Sequence, residues 1–261
     1  MIAREDLELA LELARLADEI TLRRFRAEDL VVATKPDLTP VTEADTAVER
    51  AIRERLAAAR PGDAVLGEEY GDTSGAGSRR WIVDPIDGTK NYVRGIPVWA
   101  TLLALEVDAE MIVGVVSAPA LHRRWWAARG AGAYADDGLG SGPRALRVSG
   151  VGELADAQLC ISGFDDWNGA VGLESMLALS ARCWRTRGFG DFWGYMLVAE
   201  GAAELTCEPV VSLWDLAAPQ VIVEQAGGRF SDLGGVRTAA GGDALASNGL
   251  LHEAALQSVG R

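Results

Sequence analysis

The segment Trp81 to Tyr92, WIVDPIDGTKNY, constrains the fold more than any other stretch of this chain. Its apolar start, Trp81 to Val83, predicts a buried strand. Asp84-Pro85 is expected to leave that strand, because proline lacks the N–H a ladder needs and restricts the residue before it. Asp84 and Asp87 then stand at a strand end, where the loops of layered α/β folds carry functional groups. Carboxylate oxygens suit hard cations such as Mg²⁺, which one or two carboxylates hold together with phosphate and water. Gly88 permits close backbone approach, and a helix beginning at Thr89 would aim free amides at an anion. The same letters also spell an ordinary Asp-Pro-x-Asp-Gly turn, so the segment alone leaves both readings open.

The flanking pattern places this segment in an α/β chain. Leu7, Leu11, Leu16 and Ile20 recur at helical spacing through Arg4 to Phe25 with charges between them, which predicts a long amphipathic helix. The stretch KPDLTPV, Lys35 to Val41, is a loop. Thr42 then reads as an N-cap with Asp45 as its capping-box partner, for a helix reaching Ala59. From Val65 the pattern turns to β, with strands expected at Arg80 to Val83, Trp99 to Glu106, Met111 to Ser117 and Arg124 to Ala128 in an antiparallel meander. A polar, glycine-rich run, Asp136 to Arg144, marks the boundary between an N-terminal lobe (1–142) and a C-terminal lobe (143–261) that form one compact unit. The second lobe alternates: strands near Gln158 to Ser162, Cys183 to Thr186 and Ala203 to Cys207, helices near Leu173 to Ala181, Asp191 to Glu200 and Trp214 to Gln225.

Composition narrows the class. With 261 residues and 49% hydrophobic content the chain can bury a large core. A net charge of −13 opposes nucleic acid and anionic membranes as partners, since both require Lys and Arg to neutralise phosphate. No signal peptide or apolar span is evident, which favours the cytoplasm. Cys160, Cys183 and Cys207 lack metal-binding spacing and read as reduced core residues. None has an arginine six positions later, no Asp-x-Asp follows a strand, and neither His122 nor His252 lies in an Arg-His-Gly context, so covalent phosphatase routes lack their nucleophiles. Both histidines are expected in surface or capping roles.

Glu68 and Glu69 follow the apolar run Ala64 to Leu66, and Asp215 follows Trp214 at a helix start, where capping alone explains an acid. Taken in order, Lys35 with VTEAD (Val41 to Asp45), GEE (Gly67 to Glu69), DPIDGT (Asp84 to Thr89) and Trp214-Asp215 with the later Gly227-Gly228 resemble the signature of the inositol monophosphatase family across nearly the whole chain. The resemblance implies a layered αβαβα sandwich of the inositol monophosphatase and fructose bisphosphatase type. It also implies a Mg²⁺-dependent phosphomonoesterase with two or three ions per site, in which metal-activated water attacks phosphorus directly. By that resemblance Glu68, Asp84, Asp87, Asp215 and the carbonyl of Ile86 hold the metals, Asp84 bridging two. Thr89 with Asp45 activates the water, Glu68 assists through a further ion, and the amides of Gly88 and Thr89 hold the phosphate. Family habit adds a homodimer.

Within the family, the segments DGTKNYVRGIPVWA (Asp87 to Ala100), VGVVSAPAL (Val113 to Leu121), RRWWAARG (Arg123 to Gly130) and GDFWGYMLVAEGAAEL (Gly190 to Leu205) are similar to the histidinol-phosphate phosphatases of actinobacterial type. That similarity implies a small phosphate ester as substrate, histidinol phosphate first and inositol or other polyol phosphates as the alternative. Asp87, Asp191 and Glu208 are the expected substrate contacts, two of them suited to a cationic ligand. Tyr92, Phe189 or Trp193 would stack on its ring. Helix capping by Asp191 is the competing reading.

Overall fold

A computed structural model of the protein describes residues 2–73, 75, 77–168 and 172–259; the outermost residues of the two expected lobes, Met1 and residues 260–261, lie outside these. The chain begins with α1 (Ile2–Arg24), passes through a two-stranded ribbon of β1 (Val32–Thr34) and β2 (Pro40–Thr42), and enters α2 (Glu43–Ala59). Thr42 is the N-cap of α2 and Asp45 closes the capping box, as the Thr-x-x-Asp spacing predicts.

A large sheet follows, built from β3 (Ala64–Gly67), β4 (Gly71–Thr73), β5 (Arg79–Asp87), β6 (Ala100–Val107), β7 (Glu110–Ala118), β8 (Arg123–Ala128), β9 (Gly132–Asp136) and β10 (Arg144–Ala145), with the short helix α3 (Thr89–Val93) after β5. Its order is β10-β9-β8-β7-β6-β5-β3-β4, antiparallel except where β3 runs parallel to β5. The second sheet, β12-β11-β13-β15-β14, is mixed. It comprises β11 (Gln158–Ile161), β12 (Arg185–Gly188), β13 (Leu205–Glu208), β14 (Arg229–Ser231) and β15 (Ala244–Ser247), interleaved with α4 (Leu173–Arg182), α5 (Asp191–Ala199), α6 (Leu213–Gln225) and α7 (His252–Val259).

Side-chain alternation along the strands generates the layers. Trp81 and Val83 of β5 face α1 and α2, packing with Leu13, Ile52 and Leu56, whereas Ile82 faces the opposite way into a core shared with Phe192, Leu216 and Ile222 of α5 and α6. The second sheet covers the other side of that helix layer with Phe230 and Ala246, and its outer face packs α4 and α7 through Met176, Leu179, Ala255 and Val259. The result is the αβαβα sandwich that the family resemblance implies. α6 lies so close to β7 that a Cβ at Gly114 would meet the Ala218 carbonyl at 2.6 Å.

Three sequence expectations need correction. Strand β5 does not stop before Asp84-Pro85 but continues to Asp87, with the register shifting from Asp84↔Leu102 to Asp87↔Ala100. The bulge removes the demand for an N–H at Pro85, whose carbonyl instead accepts the Thr101 hydroxyl at 2.8 Å. His252 is fully buried, not at the surface: its Nε2 lies 2.9 Å from Ser231 Oγ and its Nδ1 2.9 Å from Ser247 Oγ, and burial pushes its pKa down to about 4. β1, β2, β4, β9, β10, β14 and β15 were not anticipated, β2 taking Pro40 and Val41 from the expected loop and β10 carrying the first sheet past the expected lobe boundary at 142; none exceeds five residues, too few for alternation to stand out from the surrounding turns. His122, by contrast, caps a turn at φ 56° on the exposed surface, as expected. The cysteines are free. No helix among the described residues is long and apolar enough to cross a membrane.

Candidate active site

Because Ile82 faces the α5–α6 layer, Asp84 two residues later projects toward the same side, where α6 begins. The bulge then lets Asp87 stay with it. One carboxylate oxygen each from Asp84, Asp87 and Asp215 lie within 4.8 Å of one another. Asp215 is the third residue of α6 and accepts the Ser212 N–H at 2.8 Å, so it closes a capping box and joins the acidic group at once. Glu68, in the turn after β3, stands outside this trio; its Oε1 lies 2.6 Å from Lys35 Nζ, which also contacts Glu69 Oε1 at 2.8 Å. Between the two aspartates of the bulge, Ile86 buries its side chain against Ala44, Tyr92 and Trp99 while its carbonyl accepts the Thr89 hydroxyl at 2.9 Å.

Thr89 Oγ1 also lies 3.3 Å from Asp45 Oδ1, and the other Asp45 oxygen accepts the Thr42 N–H at 2.8 Å and its hydroxyl at 2.5 Å. The cap of α2 therefore orients the acid that meets Thr89. Gly88, at φ 80°, is the N-cap of α3, in a left-handed conformation that favours glycine.

Electrostatically the trio is under strain from its own charge. Burial, then Glu68, Asp87 and Asp215, hold the Asp84 carboxyl well above the ordinary range; burial, then Asp191 and Asp215, do the same for Asp87. Burial raises Asp215 to about 6 and raises Asp45 as well. Asp84 Oδ1 is buried without a hydrogen-bond partner among the described residues. Such an orphaned acceptor, in an all-oxygen donor set, fits a divalent cation.

A second acidic pair stands beside Asp87. Asp191, the first residue of α5, adopts φ 50° and does not cap the helix: its Oδ2 accepts from Asn91 Nδ2 at 3.0 Å and lies 3.2 Å from the position of a Cβ on Gly88. Its N–H donates to Ser162 Oγ at 3.1 Å, and Ser162 in turn donates to Glu208 Oε1. Glu208 Oε2 accepts the Tyr195 hydroxyl at 2.5 Å, and burial raises the Glu208 carboxyl to about 7. The Phe192 N–H donates to Asp87 Oδ2 at 2.7 Å, which ties the start of α5 to the first cluster.

The expected ring-stacking role of Tyr92 is overturned. Its ring is fully buried against Phe25 and Trp99, and its hydroxyl donates to the Thr21 carbonyl at 2.7 Å. Phe189 and Trp193 pair with each other at 5.5 Å and are half-buried. Asn91, Ser162 and Tyr195 went unrecognised. Ser162 carried no signal in the sequence: only the parallel register of β11 and β13, with Cys160 opposite Thr206, brings it level with Glu208.

Comparison with known proteins agrees with this architecture. The chain matches the structure of the extragenic suppressor protein suhB from Bartonella henselae with a TM-score of 0.88 and 27% identity, over 98% of each chain. It is 54% identical to a histidinol-phosphatase of Mycobacterium tuberculosis, over 98% of both chains, and 53% identical to one of Streptomyces coelicolor, over 95% of this chain and 94% of that protein. Fold and site thus define a layered α/β phosphatase. More narrowly, the family model described as inositol monophosphatase family matches residues 3–261, and the chain belongs to that metal-dependent family.

Proposed function

We propose that this enzyme is a Mg²⁺-dependent phosphatase that releases phosphate from L-histidinol phosphate, acting in histidine biosynthesis as a cytoplasmic homodimer. The observation that carries the substrate choice is the second acidic pair: Asp191 and Glu208, joined through Ser162, stand next to Asp87 at the edge of the acidic trio. A ligand bearing an ammonium and an imidazole would find charge-assisted acceptors there while its phosphate meets the first cluster. The names of the two relatives above 50% identity support the same substrate.

In this reading Glu68, Asp84, Asp87, Asp215 and the Ile86 carbonyl would hold two or three Mg²⁺. Bound there, the ions would offset charge on the phosphoryl oxygens and lower the pKa of the attacking water. The chain's own groups do the rest. Thr89 presents its hydroxyl to the water and passes the proton toward Asp45, whose raised pKa suits it to accept one. The N–H groups of Gly88 and Thr89 orient the phosphate, and Phe192 N–H keeps Asp87 aimed at the trio.

One observation favours the alternative of an inositol or broad polyol phosphatase. Both Glu208 oxygens already accept hydroxyls, from Ser162 and Tyr195, so the same carboxylate can serve a hydroxylated substrate. Initial rates with histidinol phosphate, inositol phosphate and fructose bisphosphate at one Mg²⁺ concentration decide between them. The proposal expects kcat/KM for histidinol phosphate to exceed the others by about tenfold or more, the worth of one charge-assisted bond. A preference for inositol phosphate overturns it.

A further inference from the structure

We infer that Glu49 is a positioning residue: its buried carboxylate holds the turn that carries Glu68, so that the one helix α2 sets both Asp45 and Glu68. The inference rests on the reading of Glu68 as a metal-holding residue.

Glu49 follows Asp45 by one helical turn and is fully buried. Its Oε2 accepts the Glu69 N–H at 2.7 Å and its Oε1 accepts the Tyr70 N–H at 3.2 Å. Arg53, one turn further along α2, donates to Glu49 Oε1 at 2.8 Å and reaches across to the Gly71 carbonyl, the Val65 carbonyl at 3.4 Å and the Thr73 hydroxyl at 3.2 Å. The pair therefore clamps both ends of the β3–β4 hairpin onto α2. Glu68 lies inside that clamp, and its own N–H donates to the Val83 carbonyl at 3.2 Å, beside Asp84.

Gly67 carries the same message from the other side. A Cβ there would sit 2.0 Å from Glu49 Oε1, so the space a side chain would need is taken by the carboxylate. Burying a charge is costly unless it is paired and hydrogen-bonded. Here the compensation consists of Arg53 and two backbone N–H groups of the turn next to Glu68, which gives the carboxylate a task that an apolar residue in the α2 core could not perform. Through Asp45 the same helix meets Thr89, 44 positions along the chain. The relative placement of the water-activating pair and Glu68 thus reduces to the geometry of a single helical turn.

The test uses the full-length protein with Glu49→Gln, Gly67→Ala, Glu68→Gln and the Glu49→Gln/Glu68→Gln double variant. Mg²⁺ alone is titrated calorimetrically, and amide hydrogen exchange is read on the metal-free proteins. Gly67→Ala keeps the charge and displaces it, so it guards against a fold lost through neutralisation. Glu49→Gln and Gly67→Ala should each weaken Mg²⁺ binding by about tenfold or more, the range of a charge-assisted hydrogen bond. The Glu69 and Tyr70 amides should exchange at least about tenfold faster while those of β6 and β7 are unchanged. The double variant should bind Mg²⁺ no more weakly than Glu68→Gln, because a misplaced Glu68 and a neutral one lose the same contact. Additive losses, or unchanged exchange at Glu69 and Tyr70, overturn the inference. A weakened Glu68→Gln beside a normal Glu49→Gln overturns it alone, whereas a Glu68→Gln protein that binds Mg²⁺ like the parent removes the reading of Glu68 and this inference with it.

Discussion

Two groups of carboxylates meet at Asp87, and they differ in how completely donors hold them. In the group of Asp84, Asp87 and Asp215 the acids crowd one another and Asp84 Oδ1 has no partner among the described residues. In the group of Asp191 and Glu208 each acid has neutral donors of its own, from Asn91 on one side and from Ser162 and Tyr195 on the other. Like charges in a buried site raise one another's pKa and destabilise the ionised form. Burial and like charge raise both groups, Glu208 to about 7 among them, but only the first leaves a buried carboxylate oxygen without a donor, which a cation would fit; in the second, neutral donors hold the acids in place. On the proposed function, chemistry that every phosphate ester shares would fall to the first, and discrimination among esters to the second.

The sharpest way to break this division is Asp84→Asn. It should lower kcat by more than about a thousandfold, roughly 4 kcal/mol of barrier, and weaken Mg²⁺ binding. The metal-free protein should at the same time melt no lower than the parent, because a repelled buried charge has been removed. Rates, calorimetry and thermal melting measured together check it; undiminished Mg²⁺ affinity with normal turnover would dissolve the first group as a metal site. Thr89→Ala probes the same side without touching a carboxylate. We expect kcat to fall about a hundredfold with Mg²⁺ affinity intact. Rescue by excess Mg²⁺ would instead reassign Thr89 to metal retention.

Asp191→Asn and Glu208→Gln address the second group. Each should reduce kcat/KM for histidinol phosphate by roughly ten- to a hundredfold, against less than about threefold for inositol phosphate, since only the cationic ester loses a charge-assisted bond. The ratio of the two substrates is the measurement, and equal losses would merge the two groups into one functional unit.

The smallest effect is on stability. Carboxyls whose folded pKa lies above the unfolded value stabilise the protein at low pH, and that contribution is lost as pH rises through the folded value, here about 6 for Asp215 and about 7 for Glu208, with Asp84 and Asp87 also raised. His252 acts in reverse: held near 4, its contribution is fully present above 6.5 and fades as pH falls. Between about pH 6.5 and 8 only the carboxylates remain, so the metal-free melting temperature should decline by a few degrees, about 1 kcal/mol corresponding to roughly 2–4 °C for a chain of this size. Saturating Mg²⁺ should reduce the decline by the share of Asp84 and Asp87, leaving that of Glu208, which lies outside the trio. A melting temperature that falls equally with and without Mg²⁺ would show the first group is not what titrates.

Much of the local structure around the site was legible in the chain. The Thr42–Asp45 capping box, the strand before Asp84 and the helix after Ser212 each rest on contacts within a few residues, which local spacing encodes. The exit of the chain at Pro85 was misjudged because proline excludes a ladder N–H but not a bulge, and only the partner strand β6 decides which applies. Tyr92 and His252 were misplaced for a related reason: aromatic and imidazole side chains serve surface and core equally well, and burial against Phe25 and Trp99, or between Ser231 and Ser247, is a property of distant segments.

By itself, then, the sequence determined the order of most elements, since hydrophobic period, capping chemistry and turn residues act over a few positions; the layered fold and the acids that would gather were expected only through the family resemblance. Beyond the local caps at Thr42 and Ser212, tertiary structure alone decided what those acids touch. Asn91 reaches Asp191 across 100 positions, Phe192 reaches Asp87 across 105, and Glu49 reaches Glu69 across 20, each through a hydrogen bond that exists only after sheets and helices have packed. A side chain's identity states which bonds it is able to make; the backbone path of the rest of the chain selects which of them is made.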